Sequence, residues 1–115
     1  MMKLRINPLV AEDLKGIKAY IAEDNEEMAD KTVQAIYTQI ENIQQFPYIG
    51  VTLSKRVSFK TDYRYVILGN YVVLYLVENE YVEIYRVVQE IDGDLHVWVE
   101  GKVDGSSSFC IKMLF

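Results

Sequence analysis

The sequence predicts a small α+β domain: an N-terminal strand and a two-helix hairpin packed on one face of a small antiparallel sheet. Three observations predict it. Apolar residues recur at spacings of three and four through two early segments. The pattern turns to β-branched and aromatic runs after Pro47. A Gly69-Asn70 pair then separates two such runs, as in a two-residue β-hairpin.

The first strand is expected over Lys3 to Ile6, with Leu4 and Ile6 on one face. Asn7-Pro8 starts a helix, because Asn is a good N-cap and Pro is preorganised for the first helical position. Ala11, Leu14, Ile17 and Ile21 form its apolar stripe. The acidic run Glu23-Asp24-Asn25-Glu26-Glu27 interrupts the pattern and restarts it. Asp24 with Glu27 three residues later resembles a capping box, and the acidic first turn complements the helix dipole. The second helix carries Ala29, Val33, Ile36, Ile40 and Ile43 over roughly 18 residues and ends before Pro47. So short a connection makes the two helices antiparallel neighbours.

Lys55 to Lys60 suits an edge strand. Tyr63 to Leu68, Tyr71 to Val77 and Tyr81 to Val88 follow as strands, the last two joined by a turn at Glu78-Asn79-Glu80. The near-continuous apolar run Tyr71 to Val77 predicts a central strand covered on both faces. The helices cover one face, and the other needs a tail, a partner or a groove. Residues 89–115 are atypical: a turn at 90–94, an additional strand at Leu95 to Val99, a Gly/Ser-rich flexible stretch at 101–108, and an apolar closing segment from Phe109 to Phe115 that docks on the sheet. The whole of 1–115 is read as one domain.

The 115 residues carry a net charge of −5, which argues against indiscriminate nucleic-acid binding. A single cysteine, Cys110, allows no internal disulfide, fits a reducing compartment, and reads as a small buried hydrophobe. No signal peptide and no membrane span are expected, so a bacterial-type cytoplasm is the expected location. With one His and one Cys there is no zinc site of standard spacing, and there is no phosphate-binding Gly loop or nucleophile elbow. No cofactor or metal is expected. His96 has the side chain closest to neutrality in pKa, and reads either as a general base or as a plain strand histidine.

One cluster stands out from the acidic background. Lys55, Arg56, Lys60 and Arg64 fall within ten residues, with Tyr63 and Tyr65 flanking Arg64. Such a patch supplies charge for phosphates and rings for stacking, and guanidinium groups can stabilise a phosphorane's charge during ribose-assisted RNA cleavage. The competing reading is a solvated edge strand guarded by lysines. Parity places Arg86 on the face with Val82 and Ile84, as a groove-facing or a snorkelling residue.

The order strand, helix hairpin, Phe46-Pro47-Tyr48-Ile49-Gly50, then three strands resembles the RelE/ParE superfamily, the toxins of type II toxin–antitoxin modules, or plasmid stabilisation proteins. The matching residues are Pro8 to Leu14, Ile17, Tyr20-Ile21, Phe46 to Gly50, Leu53, Tyr63-Arg64-Tyr65, Tyr71 to Tyr75 and Val82 to Val88, within residues 3 to 88. The resemblance implies a toxin neutralised by a cognate antitoxin. It implies either metal-independent mRNA cleavage on the ribosome, as in RelE-like members, or non-enzymatic inhibition of DNA gyrase, as in ParE-like ones. Arg64 matches the family's central-strand arginine, with Lys55, Arg56, Lys60 and Arg86 as further catalytic candidates. Gln89-Glu90-Ile91-Asp92 stands where many members carry histidine and arginines, so a degenerate, non-toxic scaffold that still binds an antitoxin is a third reading.

Overall fold

A computed structural model describes residues 2–55 and 61–89, and 94–103 and 106–114 as backbone; at Lys55 too the backbone is described. Strand β1 (Lys3–Ile6) leads into helix α1 (Pro8–Ala22) and helix α2 (Glu26–Gln45). A two-residue strand β2 (Val51–Thr52) and a 3₁₀ turn (Leu53–Lys55) follow. Strands β3 (Tyr63–Leu68), β4 (Tyr71–Val77) and β5 (Tyr81–Gln89) complete the main sheet, and β6 (Asp94–Val103) and β7 (Ser106–Leu114) form a second one.

The helix starts are set by asparagines. The Asn7 side chain accepts from the Leu9 N–H at 2.9 Å, with Pro8 opening α1. At α2 the cap is Asn25, whose Oδ1 accepts from the Met28 N–H at 3.0 Å. The Asp24 box predicted from the sequence is therefore displaced by one residue. Asn25 satisfies the equivalent orphan N–H one residue later, that of Met28, and Glu26 and Glu27 still lie in the first turn. In α1 the core-facing set is Val10, Leu14 and Ile17, with Ile21 partly buried; Ala11 faces outward. In α2 Ala29, Ile36, Ile40 and Ile43 are buried as the spacing predicts.

The main sheet has the order β1-β5-β4-β3-β2. It is mixed, not wholly antiparallel: β1 runs parallel to β5, with Leu4 opposite Val82 and Ile6 opposite Ile84. A helical crossover separates β1 from its neighbour, and a parallel pair needs such a connection. The other pairs are antiparallel. The β3–β4 hairpin turns at Gly69-Asn70, where Gly69 takes φ +60°, a left-handed conformation that glycine adopts freely.

Helix-facing residues of the sheet are Val73, Tyr75, Val82, Ile84 and Val87, which join the α1 and α2 stripes in one core. The step from Ile84 to Val87 exposes a bulge. Leu74 pairs with Arg86 but Tyr75 pairs with Ile84, so Tyr85 is the extra residue. The bulge shifts the alternation by one. Val87, not Arg86, continues the helix-side row begun by Val82 and Ile84, which corrects the parity argument from sequence.

The tail differs from expectation in part. The additional strand exists as β6, and the closing segment forms β7, but the two pair with each other in a separate two-stranded sheet. Backbone at 101–103 and 106–108, predicted flexible from its Gly and Ser content, belongs to these strands. Cross-strand pairing overrides the local preference of those residues. The predicted turn at 90–93 and edge-strand residues 56–60 lie outside the described residues.

Candidate functional site

Two arginines flank the central strand β4, each fixed by a different device. The first device is built from the segment that ends α2. Pro47 stops the helix, and Phe46 caps it by donating its N–H to the Asn42 carbonyl at 2.8 Å. The segment then folds over the end of β4. The hydroxyl of Tyr75, a fully buried side chain, donates to the Pro47 carbonyl at 2.8 Å and accepts from the Gly50 N–H at 2.8 Å. One phenol thus clamps both ends of Pro47-Tyr48-Ile49-Gly50.

Gly50 is fixed by this contact. A Cβ there would sit 2.4 Å from the Tyr75 Oη and 2.8 Å from the Tyr65 carbonyl oxygen. Arg64 closes the corner: its Nη1 donates to the Gly50 carbonyl at 2.8 Å, and its Cζ lies 4.9 Å from the centre of the exposed Tyr48 ring. Both partners are neutral, so they orient the guanidinium without cancelling its charge. Burial pushes the Tyr75 hydroxyl above the usual tyrosine pKa, against the opposing pull of the Gly50 N–H and the Arg64 charge. Tyr75 is therefore a neutral hydrogen-bond donor across the physiological range.

The second device joins β5 to α1. Asp13 accepts from Arg86 Nε and Nη2, each at 2.7 Å, and from the Val87 N–H at 3.0 Å. Strand β1 pairs with β5 only as far as Ile84, so among the described residues the β5 edge beyond it has no strand neighbour on that side. The Asp13 carboxylate takes the place of one ladder bond there and holds Arg86 as a fork. Hydrogen bonding to Asp13 holds the Arg86 pKa above its ordinary value despite burial.

The five sequence-predicted site residues are thus not gathered into one described cluster. Arg64 and Arg86 sit on strands either side of β4 and serve separate partners. The side chain of Lys55, and all of Arg56 and Lys60, lie outside the described residues. The flanks of that segment are tied together, since Ser54 Oγ donates to the Thr61 carbonyl at 2.9 Å. His96 lies on β6, which pairs with β7 and not with β3. Tyr63 and Tyr85 pack edge to face at 5.4 Å. Among the described residues no group of three or more His, Cys, Asp or Glu side chains is placed to hold a metal ion.

Sequence reasoning missed Asp13 and the clamp role of Tyr75. Nothing in the helical periodicity separates Asp13 from its neighbour Glu12. Tyr75 carried a signal, because a polar hydroxyl in a strand predicted to be buried on both faces needs a partner.

A helix hairpin on a five-stranded mixed sheet, with a Phe-Pro-x-x-Gly segment locked to the sheet by a tyrosine and an arginine, defines a toxin fold of the RelE/ParE type. The model of the family described as ParE toxin of type II toxin–antitoxin system, parDE, matches residues 4–90. The chain belongs to this ParE toxin family. A solved structure from P. aeruginosa, titled as its chromosomal ParDE toxin–antitoxin system, is similar with a TM-score of 0.65 and 26% identity. The match covers 79% of this chain and 98% of that one. No curated protein matches the chain. Among the described residues, no helix is long and apolar enough to cross a membrane.

Proposed function

We propose that this ParE-family toxin acts in the cytoplasm by binding DNA gyrase through surface contacts, without an enzymatic step, and that a cognate antitoxin neutralises it. One observation carries the reading. The two described arginines that charge-stabilising chemistry would need are held by partners inside the fold, Arg86 by Asp13 and Arg64 by the Gly50 carbonyl. For the two to stabilise a phosphorane together, Arg86 would have to leave Asp13 at the moment of reaction, which opposes preorganisation, while Arg64, held through one N–H by a neutral carbonyl, keeps its charge available. A binding surface has no such requirement. Arg64 stacked with Tyr48 is a charged and aromatic pair of the kind enriched at interface hot spots.

Induced expression in a bacterial host, with supercoiling by purified gyrase and mapping of cellular mRNA ends, tests the reading. The expected result is growth arrest, inhibited supercoiling and no new mRNA ends. Arg64→Ala, at equal folded protein, should weaken gyrase inhibition roughly thirty-fold or more, as expected for loss of one hot spot of about 2 kcal/mol. New mRNA ends soon after induction, with gyrase unaffected and Arg64→Ala abolishing cleavage, would restore the endoribonuclease reading and the ribosome as site of action. No arrest from folded wild-type protein would favour the degenerate scaffold.

A further inference from the structure

The middle of the sheet face turned away from the helices is buried. Strand register puts Tyr65 opposite Leu74 and Ile67 opposite Val72, in alternation with the helix-side residues Val66 and Val73. On this helix-free face Val72 and Leu74 have 0% exposure and Tyr65 has 3%. Tyr85, set aside by the bulge against Tyr63, is also buried. Toward the β2 edge the same face opens: Val51, opposite Tyr65, is 43% exposed and Ile67 is 47% exposed. The cover therefore lies over the middle of the face and stops short of that edge.

The β6–β7 hairpin fits this pattern. Its register sets Leu95 opposite Met113, Val97 opposite Ile111 and Val99 opposite Phe109, which gives one wholly apolar face. The other face is mixed: it receives the pairs Asp94 with Leu114, His96 with Lys112, Trp98 with Cys110 and Glu100 with Ser108. A two-stranded hairpin is not stable in water by itself and must bury its apolar face on something. β6 starts just after β5 ends, at Asp94 after Gln89, and is in contact with it. So short a connection keeps the hairpin at high local concentration beside its own sheet. The hairpin also lies beyond the residues matched by the family model.

We propose that the β6–β7 hairpin is an intramolecular cap. Its apolar face docks on the helix-free face of the same chain's sheet and closes that surface to any protein partner. Partners of the capped chain then meet the helices, the Arg64–Tyr48 corner and the open β2 edge.

Thiol accessibility on the full chain tests this, in a Cys110→Ser background. Leu74→Cys reports on the helix-free face, and Val73→Cys, the next residue of β4, reports on the helix side. In otherwise wild-type chain both thiols should resist a maleimide, at a rate independent of protein concentration. Val97→Asp with Ile111→Asp should raise labelling at position 74 by about tenfold or more and leave position 73 protected, as for local opening without global unfolding. If both positions label because that double variant unfolds, Val97→Asn with the same reporters decides. Rapid labelling at position 74 with the hairpin intact would overturn the proposal. So would protection that persists when the apolar face is charged, or protection that rises with protein concentration, which would place the hairpin on a second copy. None of these readouts depends on toxicity or on gyrase.

Discussion

The two arginine corners use the same side chain for different ends. At the β5 corner Arg86 meets a carboxylate through two bonds of 2.7 Å, and its charge is cancelled where it is held. At the β3 corner Arg64 meets a carbonyl and a ring, so its position is fixed while its charge stays available. The first arrangement binds a helix to a strand edge. The second presents a cation beside an exposed tyrosine. Arginine content alone marks both as candidates; partner chemistry separates the guanidinium whose charge is cancelled from the one whose charge stays available. Substitutions that loosen one corner and spare the other sharpen this contrast.

The largest effect is expected at Gly50, on which the β3 corner depends. A methyl group there meets a buried hydroxyl and a backbone carbonyl of β3, and neither is the free end of a flexible chain. Gly50→Ala should cost about 3 kcal/mol or more, through overpacking and loss of the Tyr75 bonds together. Urea denaturation of the purified protein measures it. The Asp13–Arg86 pair should survive in the folded fraction. A cost under about 1 kcal/mol would mean that the 46–50 segment moves freely, and the corner would then not fix Arg64 at all.

Next comes the β5 corner. Asp13→Ala strips Arg86 of its counter-charge and the Val87 N–H of its acceptor. The two side chains are 11% and 25% exposed, so the loss is smaller than for a dry pair, about 2–3 kcal/mol. Asp13→Asn keeps an acceptor oxygen for the Val87 N–H and should lose roughly half as much. Combining Asp13→Ala with Arg86→Met should cost less than the two single changes added, with a coupling of about 1–2 kcal/mol. Strict additivity would show that the two groups are neighbours without a shared interaction. Toxicity per folded molecule should change little in Arg86→Met, in contrast to Arg64→Ala.

Much of this frame is legible in the chain before folding. The stripes of α1 and α2, the Asn7-Pro8 start, the Gly69-Asn70 turn and the three long strands all follow from local periodicity and turn chemistry. What sequence does not carry is any fact requiring two distant segments at once. The parallel pairing of β1 with β5 is one. The bulge at Tyr85 is another, since an extra residue in one strand has meaning only against its partner. The destiny of each arginine is a third: Arg86 is 73 residues from Asp13, and Arg64 is 14 from the Gly50 carbonyl. Charge clustering singled out Arg64 with Lys55, Arg56 and Lys60, but it had no way to reveal that a backbone carbonyl and a ring hold its guanidinium. The demand that Tyr71 to Val77 be covered on both faces was also readable, because only a doubly buried strand tolerates so continuous an apolar run.

The smallest expected effect is also the most specific to the β3 corner. Tyr75→Phe keeps the ring and removes one oxygen, leaving the Pro47 carbonyl and the Gly50 N–H without their shared partner. The expected loss near neutral pH is about 1–2 kcal/mol. Its pH dependence has a definite sign. The folded-state pKa of Tyr75 is raised above 10.0, chiefly by burial, so ionisation is harder in the folded chain than in the unfolded one. The hydroxyl's contribution is then complete below about pH 10 and drains away as pH climbs from there through the folded-state pKa. The stability gap between wild type and Tyr75→Phe should accordingly stay flat from pH 6 to about 9.5 and narrow above it. A gap that narrows instead toward acid would mean that a carboxylate, not the phenol, governs the corner. Arg64 would then have an ionic partner as Arg86 does, and the distinction between the two arginines would fail.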